Sequence, residues 1–182
     1  MNRYVIVCLF KDNVLKFHEK LVNDVCYKFN VKRQKLPAHF TIKAPFETDN
    51  IKEIEKITEE FVKNNNKQNI QINGFDKFRT DVVFMKVIPS KEALKVHDEF
   101  INVLKQVSWL RWKHHEGNNK NKVFHCTIVS RIKEDKFYDI CEYVNKYNPQ
   151  FETYFDNISI LKWGNNRWET YKEYILKSQN IK

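Results

Sequence analysis

Apolar positions along this chain repeat with two different periods, and the points where the period changes divide it into strands and helices. Tyr4–Phe10 is a continuous apolar run and reads as a buried strand. From Asp12 to about Phe29 the spacing is helical. Val14, Leu15, Leu21, Val22, Val25, Cys26 and Phe29 share one face, and Asp12 can cap the start. A basic connector, Val31–Lys35, leads through Pro37 into PAHFTIK (Pro37–Lys43), where residues of strong strand preference alternate with polar ones. Asp49 or Asn50 starts a second helix with Ile51, Ile54, Ile57 and Phe61 on one side, and the polar run Asn64–Asn69 ends it. Ile70–Phe78 and Val82–Ile88 follow as a hairpin turning at Arg79–Asp81.

Pro89 and Ser90 open a third helix whose inner stripe is Leu94, Ile101, Leu104 and Val107. The polar loop Lys113–Lys122, KHHEGNNKNK, feeds a second alternating stretch, VFHCTIVSR (Val123–Arg131). A fourth helix covers about Glu134–Tyr147 with Phe137, Ile140, Cys141 and Val144 inward, and stops before Pro149. Phe151–Trp163 and Arg167–Leu176 make a closing hairpin around Gly164-Asn165-Asn166, a strong turn signal.

The order helix, His-bearing strand, helix, hairpin occurs twice. His39 and His125 lie 86 positions apart, and the same offset carries the helix at 51–61 onto 137–147 and the first hairpin into the second. The expected fold is α+β: one bilobal domain over 1–182 with repeat halves of roughly 1–89 and 90–182. Each lobe would be a small antiparallel sheet backed by two helices. The two His-bearing strands would face one another across the cleft.

Side chains on a strand point alternately to its two faces. Phe40, Ile42 and Ala44 therefore point to the core while His39, Thr41 and Lys43 line the other face. In the second stretch Phe124, Cys126 and Ile128 point inward, and His125, Thr127 and Arg131 point outward. With only 7 Thr in 182 residues, Thr standing two places after His in two equivalent strands is an uncommon coincidence. Arg131 keeps its place on that face only if the strand is regular; a bulge or an early end would remove it. Two opposed imidazoles suit phosphodiester chemistry without a metal. One takes a proton from the attacking hydroxyl and the other gives one to the leaving oxygen, while Thr hydroxyls and nearby cations stabilise charge on the other phosphate oxygens.

Composition fits a folded chain, with 42% hydrophobic and 30% charged residues. Lys+Arg number 32 against 23 Asp+Glu, a net charge of +9, which points to polyanionic partners such as nucleic acid or nucleotides, with a generally solvated Lys-rich surface as the equal alternative from charge alone. The four Cys (8, 26, 126 and 141) show no CxxC pair and read as buried thiols of a reducing compartment. Neither a secretory leader nor an apolar run of about 18 residues is present, so a cytoplasmic protein is expected.

His39-Phe40-Thr41-Ile42 and His125-Cys126-Thr127-Ile128, in a repeat of this length, resemble the two H-x-T/S-x motifs of the 2H phosphoesterase superfamily. Within it the chain is most similar to the bacterial 2′-5′ RNA ligase / cyclic phosphodiesterase-like group. The resemblance implies His39 and His125 as acid and base, in an order left open, and Thr41 and Thr127 as phosphate holders. It implies Lys43 and Arg131 as substrate-binding cations, with no metal and no cofactor. It further implies RNA ends or nucleotides carrying 2′,3′-cyclic or 2′-5′ phosphodiesters as partners, no membrane, and a monomer. Hydrolysis of a 2′,3′-cyclic end would leave a 2′-phosphate. Ligation of 2′-5′ linkages by the reverse reaction is an alternative, and RNA-end binding without turnover is another. Phe46 or Trp112 would stack on the base.

Plainer roles remain for other residues. His18 and His97 sit beside the apolar stripes of helices and read as satisfied boundary histidines. His114-His115-Glu116 lacks a third ligand at suitable spacing, so Lys113–Lys122 reads as a mobile basic lid rather than a metal site. Trp163, Trp168, Tyr171 and Tyr174 read as sheet packing.

Overall fold

The computed structural model describes residues 1–113, 116 and 122–178. Its elements are β1 (Asn2–Leu9), α1 (Asp12–Phe29), β2 (His39–Thr48), α2 (Ile51–Asn64), β3 (Gln68–Phe78) and β4 (Val82–Pro89). They continue with α3 (Lys91–Leu104), β5 (His125–Ser130), α4 (Glu134–Val144), β6 (Gln150–Phe155), β7 (Asn157–Gly164) and β8 (Arg167–Ile175). The fold is α+β, with two antiparallel four-stranded sheets ordered β2-β1-β7-β8 and β5-β4-β3-β6. Two helix ends correct the sequence reading. Asp12 does not cap α1 by its side chain but is its first residue, at φ 49°. The fourth helix stops at Val144, and the Asn145–Tyr147 amides bond back to residues 141–144 in tight turns. Ser90 does cap α3, its hydroxyl accepting from the Ala93 N–H at 3.0 Å.

The sheets interleave the chain more than the 86-residue offset suggested. The β3–β4 hairpin joins the sheet of β5, and the β7–β8 hairpin joins the sheet of β1, so each lobe draws strands from both halves of the sequence. Beside the second His strand lies β4, in the place β1 takes beside the first. The offset had instead matched β4 with β8. Phe151–Trp163 is likewise two strands and not one. β6 pairs with β3 in one sheet, and after the single residue Asp156 the chain continues as β7 paired with β1 in the other.

That crossing is held by Asn157, buried with no exposure. Its carbonyl oxygen accepts from the Leu9 N–H at 3.0 Å and its amide donates to the Leu9 carbonyl at 2.9 Å, completing the β1 ladder where β1 meets His39. Ser159 donates to the same Asn157 oxygen at 2.8 Å. Asn157 follows Asp156 and has Ser159 two places on, so nothing local marks it out, and its partner lies 148 positions away.

One apolar core runs under both sheets, from Tyr4, Ile6, Cys8 and Phe40 on one to Met85, Val87, Cys126 and Ile128 on the other. The helices pack in the pairs α1–α4 and α2–α3, each pair joining the two halves of the sequence. The opposite face of β1 carries a second small cluster, Val5, Val7 and Leu161, with Leu9, Leu36 and Trp168 against it. That face is the one that carries His39. All four Cys are free thiols, and burial pushes the Cys8 and Cys126 thiols well above their ordinary value.

Replacing Asn157 by Ala leaves two half-buried Leu9 backbone groups without their side-chain partner, at a cost of about 1–2 kcal/mol each. Urea denaturation of Asn157→Ala is expected to show a loss of about 2–4 kcal/mol with an unchanged slope; a loss below about 0.5 kcal/mol would refute the staple.

Candidate active site

Each His motif lies on an edge strand, β2 of one sheet and β5 of the other, and the two edges meet. The Phe40 ring packs edge-on against Phe124 at 5.6 Å and against Phe155 at 5.4 Å, closing the seam on the core side. On the other side His39 stands opposite Leu9 and Thr41 opposite Val7, while His125 stands opposite Lys86 and Thr127 opposite Phe84. The structure thus brings His39, Thr41, His125 and Thr127 to one seam, with the two imidazoles close enough to repel each other when charged.

Both imidazoles are held in the same way. His39 Nδ1 lies 2.7 Å from the Pro37 carbonyl and His125 Nδ1 lies 2.8 Å from the Val123 carbonyl, in each case two residues upstream. A carbonyl only accepts, so each Nδ1 carries the proton and each Nε2 is left with a free lone pair. Among the described residues no group engages either Nε2 or either Thr hydroxyl. Burial holds His39 down to about 4, helped by the neighbouring His125 and His18. Burial also lowers His125, with the Lys122 ammonium adding to the effect. Both imidazoles are therefore neutral near pH 7, each a base with its Nε2 free of protein partners among the described residues.

Two bulges decide where the cations go. In β2 the register steps from Val7↔Thr41 to Ile6↔Lys43, leaving Ile42 as the extra residue. In β5 it steps from Phe84↔Thr127 to Val83↔Val129, leaving Ile128 as the extra residue. Both bulges fall at the fourth motif position, so regular alternation stops just after each Thr. Lys43 is accordingly not the phosphate-side cation that even spacing implied. It turns to the core face beside Ile6 and is 2% exposed, with Nζ 3.0 Å from both oxygens of Glu116. Burial still lowers the Lys43 ammonium, while Glu116, despite its own burial, stays below the usual range through the Lys113 N–H, Lys43 and the Ala44 N–H. Phe46 and Trp112, expected as base-stacking rings, flank Lys43 on that buried side at 5.9 and 4.9 Å.

Arg131 lies one residue beyond the end of β5 at φ 58° and is exposed, so it too leaves the His face; it lines a neighbouring cavity instead. On the His face Lys86, half-buried, stands opposite His125 in register. Its side chain runs over Gly74 of β3, on the side of β4 away from β5, where a Cβ would meet Lys86 Cε at 3.5 Å, an ordinary contact; Gly74 itself answers to a φ of 68°. Lys86 was legible as the one charge in the apolar run Val82–Ile88, but only the sheet register places it beside His125.

Further supports come from outside the motifs. His18 on α1 reaches the Thr127 carbonyl with Nε2 at 2.9 Å, so it steadies the second motif's backbone. Lys122, lowered to about 8 by burial, lies 2.6 Å from His97 Nε2 and 3.5 Å from the Ile42 carbonyl, while His97 Nδ1 meets Asp98 at 2.9 Å. His97 is thus engaged through both ring nitrogens, whereas the buried His18 is engaged through Nε2 alone and its Nδ1 has no partner among the described residues. Phe78 and Phe84 pack against the His125 ring at 4.9 and 5.3 Å. No group of three or more His, Cys, Asp or Glu able to hold a metal occurs among the described residues, and Glu116 is committed to Lys43. His114, His115 and most of the Lys113–Lys122 lid lie outside the described residues. No helix of the described residues is long and apolar enough to cross a membrane.

Comparison with known proteins agrees with this architecture. The family profile described as the 2′-5′ RNA ligase superfamily matches residues 10–167. A Bacillus pumilus protein named, provisionally, a phosphoesterase is 23% identical over 177 residues, covering 91% of this chain and 97% of its own. Among solved structures, a Thermus thermophilus protein superposes with a TM-score of 0.63 at 8% identity, covering 98% of this chain and 100% of its own. Escherichia coli LigT complexed with 3′-AMP superposes with a TM-score of 0.60 at 8% identity, covering 97% and 99%.

Two outcomes test these placements. Removing a donor that holds phosphate charge costs about 10²–10³ in rate, whereas breaking a buried ion pair costs about 3–5 kcal/mol of stability. Lys43→Ala is therefore expected to lose about 3 kcal/mol on unfolding while kcat/KM falls less than about tenfold; the reverse pattern would return Lys43 to the phosphate. The second outcome concerns pH. His18, His39, His97 and His125 are all held below the ordinary 6.5 by burial. The unfolded chain then binds protons that the folded chain refuses, so stability is full above about pH 6.5 and is lost as pH falls toward about 4. Urea midpoints measured between about pH 7.5 and 4.5 should fall monotonically; a flat profile would contradict the buried neutral histidines.

Proposed function

The chain belongs to the 2′-5′ RNA ligase superfamily, and on that footing we propose that it is a metal-independent phosphodiesterase acting on 2′,3′-cyclic phosphate ends of RNA, cyclic nucleotides or 2′-5′ linkages. The observation that carries this reading is the matched pair of imidazoles, each fixed through Nδ1 to a carbonyl two residues upstream and each presenting a free Nε2. Binding alone has no use for two such nitrogens at one seam, whereas in-line displacement at phosphorus needs both. The nucleotide ligand of Escherichia coli LigT, 3′-AMP, supports a ligand of this size and chemistry on this fold.

In the proposed reaction a phosphate lies between Thr41 and Thr127, whose hydroxyls donate to its non-bridging oxygens. One Nε2 takes a proton from water as the water oxygen bonds to phosphorus. The other, as imidazolium, gives its proton to the ribose oxygen as the phosphorus–oxygen bond breaks, leaving a phosphomonoester, in the proposed case a 2′-phosphate. The second proton arrives with the substrate, because an anion between two buried imidazoles raises their affinity for it. Both proton transfers lie within reach of imidazole alone. Ligation is the same sequence run backwards through the same atoms.

The test is turnover of nucleoside 2′,3′-cyclic monophosphates in EDTA by the wild type, His39→Ala and His125→Ala. Each His contributes about 10²–10⁴ as an acid or base. Turnover indifferent to EDTA and reduced by about 10²-fold or more in each folded variant is expected. Turnover that survives the loss of either His would sink the assignment.

A further inference from the structure

We propose that the basic cavity beside the seam is a track for the single-stranded nucleotides that precede the reacting phosphate, so that the substrate is an oligonucleotide end rather than a free mononucleotide. The proposal rests on the phosphodiesterase reading above. The cavity has a volume of about 820 Å³ and holds seven Lys and Arg with no carboxylate in its lining. Lys32, Arg33 and Lys35 come from the connector after α1, and Arg131 and Lys133 from the turn after β5. Arg3 and Lys136 complete the lining, and among the described residues none of the seven is ion-paired. Lys and Arg make up seven of its fifteen lining residues, against 32 of 182 in the chain as a whole, so the positive charge is concentrated here. A cyclic mononucleotide brings a single negative charge and could not answer this field, whereas successive phosphates can.

The walls are built rather than loose. The Lys136 ammonium donates to the Phe29 carbonyl at 2.8 Å, and the Trp168 N–H donates to the Lys35 carbonyl at 3.3 Å. The Lys35 ammonium also donates to the Asn166 side chain, so the connector is pinned at both ends. Position links the cavity to the seam. Ser130 and Arg131 continue from the strand bearing His125 and Thr127, and Pro45 lies on the strand bearing His39 and Thr41. At about 3.3 Å per strand residue the cavity mouth opens roughly 10 Å past Thr127. A phosphate held by the two Thr therefore leaves the cavity to its neighbours in the chain.

Trp163 and Trp168 favour a single strand over a duplex. Both are half-buried in the cavity wall, with Lys35 over one ring at 5.1 Å and Arg3 over the other at 5.7 Å. An exposed cation over such a ring holds it less strongly than a stacked base does, so a base can take the ring while the cation turns to the adjacent phosphate. Paired bases cannot reach it. The closing hairpin's tryptophans thus have more to do than the sheet packing their sequence positions imply.

The experiment compares kcat/KM for an oligoribonucleotide of about eight nucleotides ending in a 2′,3′-cyclic phosphate with that for cytidine 2′,3′-cyclic monophosphate. The wild type is expected to prefer the oligonucleotide by about tenfold or more at low salt. Its log kcat/KM should fall with log salt at a slope of about −2, as for some three phosphate contacts on a single strand. In Lys32→Ala/Lys35→Ala and in Trp163→Ala, each checked for folding by circular dichroism, that preference should drop by about fivefold or more. No preference in the wild type, an equal loss on both substrates, or an undiminished preference in the variants would overturn the track. Should neither substrate turn over, the phosphodiesterase reading fails separately, and fluorescence anisotropy with a labelled oligonucleotide lacking the cyclic end decides the track by itself. Salt-sensitive binding weakened in the double variant supports it; absence of binding, or equal affinity for duplex RNA, refutes it.

Discussion

Two edge strands, one from each sheet, have to lie side by side in this protein, and the rest of the structure answers to that meeting. An unpaired edge exposes a row of backbone donors and acceptors and invites unwanted pairing. Here the edges β2 and β5 are turned toward each other and tied by side chains. Phe40 and Phe124 fill the seam below, Lys122 reaches from one edge to the Ile42 carbonyl of the other, and His18 holds the Thr127 carbonyl from α1. The unused edge groups become the floor of a site. His39 and His125 take their orientation from carbonyls of the residues leading into those strands, so the backbone that forms the edge also sets which imidazole nitrogen is free.

The interleaving of the sheets makes the seam hard to disturb. A hairpin from each half of the chain is lodged in the sheet that holds the other half's His strand, and the switch from β6 to β7 takes place over one residue. Asn157 completes the ladder of β1 at Leu9, the residue opposite His39. Separation of the lobes would leave each ladder intact but would open the one apolar core that runs under both sheets. Burial of the seam follows, and with it the low proton affinity of both imidazoles.

Much of this was legible in the sequence, for reasons that also explain the rest. Strand and helix periods located nearly every element, and the repeated His-x-Thr placed four side chains on one face because alternation is a local property. The bulges at Ile42 and Ile128 depend on the partner strand, so neither the burial of Lys43 nor the displacement of Arg131 could be read from spacing alone. Lys86 is the one charge in the run Val82–Ile88 and Asn157 sits among other polar residues, Asp156 and Ser159, yet their surroundings come from register and long-range contacts, which no window of one strand contains. The 86-residue offset matched β3 to β7 correctly and mistook β8 for the counterpart of β4, since hairpins of similar length look alike until their sheets are known.

The central claim is that the two imidazoles divide the proton transfers between them. It is tested most directly by the pH dependence of kcat/KM for the wild type and for each single His→Ala variant on the same cyclic phosphate. The wild type should give a bell whose maximum lies below pH 6.5, because burial lowers both groups in the free site. Each variant should lose one limb, and the two should lose different limbs, which would also assign acid and base. A bell retained in either variant, or the same limb lost in both, would contradict the account.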